Sequence, residues 1–153
     1  MKKRSSGDKT IQNKRARFDY ELQDSFIAGV VLSGPEVKSL RMGHGSLRGS
    51  FVNIHGNEAW LENAAVTPLS TNAKHLTSEL QLRNRKLLLK KRELDQLIEA
   101  KNQGLTIVPV KLMTRSHFIK VEIAIARGKK KYDKRQAIKK RDQDRDIRRG
   151  GNL

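Results

Sequence analysis

LTIVPVKLMTRSHFIKVEIAI occupies residues 105–125, and its second half decides the fold. There Ile119, Val121, Ile123 and Ile125 alternate with Lys120, Glu122 and Ala124, the period of two expected of a strand with one buried face. The first half, LTIVPVKLM, is a second run rich in β-branched residues, and Thr114-Arg115-Ser116 separates the two. A connection that short predicts an antiparallel hairpin, because parallel strands need a crossover of about a dozen residues or more.

The same chemistry recurs upstream. In SFVNIHGNEAWLENAAV (50–66), His55-Gly56-Asn57 divides two short apolar runs and predicts another hairpin. Between Phe18 and Leu32, the alternations Phe18, Tyr20, Leu22 and then Phe26, Ala28, Val30, Leu32 predict two strands. Ile27 and Val31 make the second of them buried on both faces. SGPEVKSLRMG (33–43) carries Ser33 as an N-cap, Pro35 and Glu36 in a first turn, and Gly43 as a stop, which is a helix of about two turns with Val37 and Leu40 in the core. From Gln81 to Asn102 there is neither Gly nor Pro, and Leu87, Leu94, Leu97 and Ile98 share one side at helical spacing. This predicts one long helix closed by Gly104, with Arg85 and Arg92 on its opposite side.

Six short strands, mostly hairpin-linked, with one short and one long helix and no βαβ alternation or internal repeat, predict a mainly β fold. The expected form is a small antiparallel barrel of oligonucleotide-binding type.

Charge divides the chain more sharply than hydropathy does. Of the net +17, residues 1–17 carry +6, residues 18–126 only +3 and residues 127–153 +8. Basic arms on a nearly balanced body are the electrostatic footprint of a nucleic-acid binder. The expected organisation is therefore a disordered basic arm over 1–12, an RNA-binding β-barrel over 13–127 and a basic tail over 128–153. That tail offers no apolar stripe to dock on the body, since Ile138 and Ile147 are nine apart, and it reads as disordered alone. It nevertheless lacks Gly and Pro from Lys129 to Arg149, and Asp144 precedes Arg148 in the favourable i,i+4 order, so an anionic partner is expected to make it helical.

Other classes of function find little support. The chain has no cysteine, and His44, His55, His75 and His117 are scattered without ligand spacing, so no metal or other cofactor is expected. Gly43, Gly45 and Gly49 lack the spacing of a phosphate loop. No Ser/His/Asp grouping stands out, and the chain reads as a non-enzyme. No apolar run approaches the ~18 residues of a membrane span, so a soluble chain with no membrane partner is expected; the lack of cysteine fits a reducing cytoplasm, and a monomer is expected. Aromatic residues are only 5%, which disfavours base stacking on a sheet and points to recognition of folded RNA by backbone and shape. RNRKLLLKKRE contributes six bases from Arg83 to Arg92 before the first acid. A structural ribosomal protein with tails threading ribosomal RNA is the alternative that fits the same charge distribution.

NKRARFDY (13–20), GPEVKSLRMG (34–43), RNRKLLLKKREL (83–94) and KVEIAIARGKKKYDKR (120–135) occur here in order and spacing that resemble the small protein B family, the SsrA-binding proteins of bacterial trans-translation. The resemblance runs from Asn13 to about Arg149. It implies a barrel that holds the tRNA-like domain of transfer-messenger RNA, supports its alanylation by alanyl-tRNA synthetase and accompanies it with elongation factor Tu to stalled ribosomes. Both of those proteins would be partners only through the RNA.

Carried onto matching positions, the resemblance implies an RNA surface made of Asn13, Lys14, Arg15, Glu36, Lys38, Arg41, Arg83, Arg85 and Lys86. Glu36 has two readings: it caps its own helix, or it accepts from a base amino group or ribose hydroxyl. In the tail, Lys129, Lys130, Tyr132, Asp133, Lys134 and Arg135 match the motif that enters the ribosomal decoding centre and the empty messenger channel, where Tyr132 would stack on a base. Three positions depart from the family pattern: Ile27 stands in place of an acid, SELQL (78–82) replaces Asp-Pro and predicts an earlier start for the long helix, and Gly150-Gly151 would shorten a tail helix.

Overall fold

The computed structural model describes residues 10–114, 117–129, 135 and 138–145. Its backbone is organised by the predicted hairpin: β8 (Thr106–Met113) pairs antiparallel with β9 (Lys120–Gly128), from Thr106 opposite Ala126 to Met113 opposite Lys120. The register shifts between Pro109 and Lys111, where proline has no N–H to give to a ladder. Ile119, Val121, Ile123 and Ile125 all point into the core, as the alternation requires.

Before the hairpin come β1 (Ile11–Gln12), α1 (Lys14–Asp19), β2 (Tyr20–Val30), α2 (Gly34–Arg41), β3 (Gly45–Ser46), β4 (Phe51–His55), β5 (Glu58–Glu62) and β6 (Ala65–Val66). After these, α3 (Ser78–Gln81), β7 (Arg85–Leu88) and α4 (Lys91–Asn102) lead into β8. The antiparallel pairings run β8 to β4, β4 to β5, β5 to β7, β7 to β2, β2 to β9 and β9 back to β8, so six strands close a ring. β1 is added beside β8, and β3 and β6 form a separate pair.

The core lies against this ring. Ala28, Val52, Leu61, Leu87, Ile107, Val121 and Ile123 come from its strands, with Leu40 from α2 and Leu97 from α4 in the same cluster. A second, smaller cluster forms where Ala16 of α1 covers Val108 and Ala126, which is why β9 is buried on both faces near its end. The β4–β5 hairpin turns at Gly56 and Asn57, both with φ near +60°, the twist a two-residue turn needs. Gly104 (φ +84°) follows α4, as the sequence predicts.

Four expectations change. Ordered structure begins before Asn13, because Ile11 is buried where β1 pairs with Leu112 and Lys111. Phe18 belongs to α1, and the two strands predicted after it are one long β2 with an irregularity between Leu22 and Ser25. β2 is not buried on both faces, since Ile27 is 48% exposed, and Val31 just beyond its end is 45% exposed. The long helix is three elements: α3 is a single turn, Arg85–Leu88 is a strand paired with β5 and β2, and α4 starts only at Lys91. SELQL thus forms its own short helix and does not lengthen α4.

Leu97 is wholly buried. Leu97→Ala is expected to destabilise the fold by about 3 kcal/mol through lost burial and the cavity left behind, read as a lower urea midpoint with unchanged slope.

Candidate RNA interface

The residues nominated for RNA contact fall into two groups with different fates. The first is built on α2. Ser33 Oγ accepts from the Glu36 N–H at 3.4 Å and Glu36 Oε1 accepts from the Ser33 N–H at 2.9 Å, a reciprocal cap. The same carboxylate receives Arg85 Nε on Oε2 at 2.6 Å, and Arg83 donates to both of its oxygens. Arg85 spends its remaining donors on backbone carbonyls, Nη1 on Ala64 (2.7 Å) and Arg83 (3.2 Å), Nη2 on Leu80 (3.1 Å) and Gln81 (3.2 Å). All five guanidinium N–H groups are thereby satisfied inside the protein.

Glu36 and Arg85 are 0% and 1% exposed and lie inside the protein. Of the two readings for Glu36, the helix cap holds, with ion pairing added to it. Burial raises its pKa, but the bonds from Arg83 and the Ser33 N–H and the charge of Arg85 outweigh burial and hold the carboxyl below its usual value. Burial pushes Arg85 down, and Glu36 opposes that change.

Around this pair, Lys38 is exposed on α2, and Arg83 is about one-third exposed (32%) beside Glu36. Lys86 points outward from β7 and meets Glu58 at 3.1 Å. Arg41 bonds the carbonyls of Thr114 (3.4 Å) and His117 (2.8 Å), fastening the β8–β9 connection to the end of α2.

The second group surrounds α1. Asn13 is buried: its N–H donates to the Val110 carbonyl at 2.8 Å and its side-chain amide to the Pro109 carbonyl at 2.9 Å, beside the register shift of β8. Its side chain is turned inward at the entry to α1. The helix then presents Lys14, Arg15 and Arg17 outward while Ala16 packs inward. Arg15 meets Asp19 at 3.2 Å and lies 5.1 Å from the centre of the Phe18 ring. Clefts beside α1 are lined in part by Arg48 and Lys111 as well. Arg17, Arg48 and Lys111 were not singled out from the sequence, and only folding assembles them.

Of the tail candidates, Lys129 and Arg135 are described; Lys130, Tyr132, Asp133 and Lys134 lie outside the described residues. Lys129 continues from β9 onto α1, its N–H donating to the Asp19 carbonyl at 2.9 Å and its Nζ to the Arg17 carbonyl at 3.0 Å. Residues 138–145 are helical and exposed, and Arg141 lies 5.4 Å from the centre of the Phe18 ring, a cation–π contact instead of an apolar stripe.

Residues 10–152 match the family described as "SmpB protein". The chain belongs to the SmpB family. The "SsrA-binding protein" of Oleidesulfovibrio alaskensis is 50% identical over 150 residues, covering 97% of this chain and 96% of the relative. That of Streptococcus mutans is 44% identical over 147 residues, covering 95% and 94%. A chain in the solved structure "tmRNA-SmpB: a journey to the center of the bacterial ribosome" superposes with a TM-score of 0.66 at 38% identity, over 84% of this chain and 94% of that one. SmpB membership therefore covers the ring, α1 and the tail together.

Glu36→Gln leaves the buried Arg85 without its counter-charge and is expected to cost roughly 3–5 kcal/mol, measured by urea unfolding at neutral pH. Because the folded state lowers the Glu36 pKa below its ordinary 4.5, its contribution is complete above about pH 4.5 and fades as pH falls through the lower folded value. Wild-type stability should therefore drop in acid below that point, and the drop should be smaller in the Gln variant.

Proposed function

We propose that this chain binds the tRNA-like domain of transfer-messenger RNA and delivers it to stalled ribosomes for trans-translation. The observation that carries this reading is the SmpB match over residues 10–152, which includes both the folded ring and the basic tail. The ring is then an oligonucleotide-binding type of barrel used for folded RNA. Lys14, Arg15, Lys38, Arg41, Arg83 and Lys86 are its RNA-contacting cations, while Asn13, Glu36 and Arg85 position them. A surface recognising about six phosphates should give a log–log salt slope of about −4 to −5.

The tail is the ribosome-reading part. It leaves the body at Lys129, held on the carbonyls of Arg17 and Asp19, so its origin has a defined place beside α1. Beyond that point Lys130, Tyr132, Asp133, Lys134 and Arg135 enter the decoding centre and the chain continues as a helix into the empty messenger channel. The helical backbone of residues 138–145 supports that use. Alanyl-tRNA synthetase and elongation factor Tu meet the complex through the RNA, and the protein works as a cytoplasmic monomer without catalytic chemistry of its own. Ile27, exposed on β2, offers an apolar surface where the resemblance leads one to expect an acid.

Deleting residues 128–153 separates the two roles. Binding to transfer-messenger RNA is expected to remain nearly unchanged in a filter assay, and peptide tagging on ribosomes stalled without a codon is expected to vanish. Equal loss of both activities would overturn the division of labour.

A further inference from the structure

Two clefts flank Lys14 and share Gln12, Asn13 and Lys14 as a common wall. The first is completed by Arg15, Ser46 and Arg48. The second is completed by Arg17, Val110 and Lys111. Neither contains a carboxylate among its lining residues, which distinguishes them from the neighbouring cleft that includes Asp19 and from the hollow at Trp60 that includes Glu58. Where acids do approach, they engage cations at the edge, Asp19 with Arg15 and Glu122 with Lys111 at 3.7 Å. Lys14, Arg17 and Arg48 form no ion pair among the described residues.

The backbone that carries Lys14 and Arg48 is tied down by hydrogen bonds. Asn13 is pinned to two carbonyls of β8, which sets the position of Lys14 at the start of α1. Arg48 sits in a turn with buried Leu47 before it and Gly49 (φ +74°) after it. Its N–H donates to Ser46 Oγ at 3.2 Å, and the Gly49 carbonyl accepts from Asn63 at 3.1 Å. Cations fixed on a rigid wall lose less freedom on binding than cations on a mobile arm.

We infer that these two clefts are a paired phosphate site, in which Arg48 and Lys14 hold one backbone phosphate of the tRNA-like domain and Arg17, Lys14 and Lys111 hold another. Arg48, Arg17 and Lys111 thereby join the RNA surface as determinants of affinity and register, not of base identity, since phosphate contacts position an RNA without reading it. The assignment to the tRNA-like domain rests on the functional reading above, through Lys14 and Arg15, the cations on these walls that the family resemblance ties to that RNA.

The test is fluorescence anisotropy of the labelled tRNA-like domain with full-length protein over a series of salt concentrations. Arg48→Gln and Arg17→Gln should each weaken binding roughly fivefold near physiological salt and flatten the log–log slope by about 0.9, with the double variant showing both losses. Arg48→Lys should keep the slope, and Lys74→Gln, at an exposed position outside the clefts, should leave affinity unchanged. Unfolding midpoints check that every variant is folded. Unchanged slopes in both Gln variants overturn the proposal, as does an equal loss in Lys74→Gln, which would mean that only net charge matters. A defect confined to ribosomal subunits also overturns it. If the wild type does not bind this RNA, the functional reading falls together with the site, whereas normal wild-type binding with indifferent variants removes the clefts alone.

Discussion

The Glu36–Arg85 ion pair is the interaction around which the rest of this structure is arranged. A carboxylate and a guanidinium withdrawn from water are tolerated only when nearly every donor and acceptor finds a partner. Here that condition is met by the cap of α2, by Arg83, and by the carbonyls of Ala64, Leu80, Gln81 and Arg83. The pair therefore fastens α2, the segment after β6, the end of α3 and β7 to one another. It also requires Arg85 to enter the interior from a strand.

Charge in this molecule consequently does two kinds of work. Arg85 and, in part, Arg83 and Arg41 hold the body together through carboxylate and carbonyl partners, while Lys14, Arg17 and Arg48 stand outside without acidic neighbours in their clefts. Simple counting of Lys and Arg does not separate these uses. Burial does, because a cation must reach the surface to meet a phosphate and release counterions.

α1 joins the ring to the root of the tail. Ala16 seats it on β8 and β9, Asn13 sets its entry, and its last carbonyls receive Lys129 at the root of the tail. The clefts assigned above to phosphate and the origin of the tail proposed to read the ribosome thus share one short helix. Binding by the body can orient the point from which the tail departs.

Much was legible in the chain itself. The alternation of Ile119 to Ile125, the Gly56-Asn57 turn and the Ser33/Glu36 cap are local signals whose outcome depends on neighbours a few residues away, and each appears where expected. Segregation of charge and the ordered motifs pointed to the family and its RNA. The single helix predicted over 81–102 failed for a specific reason: Arg85 and Leu87 are buried while Lys86 and Leu88 face outward, a period of two hidden because a charged residue occupies an inward position. Asn13 and Glu36 are named through the resemblance, with a helix cap as the second reading of Glu36, and only partners 96 and 49 residues away show that both are internal. The sequence by itself determined the β8–β9 and β4–β5 hairpins, the cap of α2, the segregation of charge and the family. Tertiary structure alone decided which cations are internal and which line the two clefts beside α1, because Arg48 and Lys111 each come to a wall of Lys14 only when the β3–β4 turn and β8 have packed beside β1 and α1.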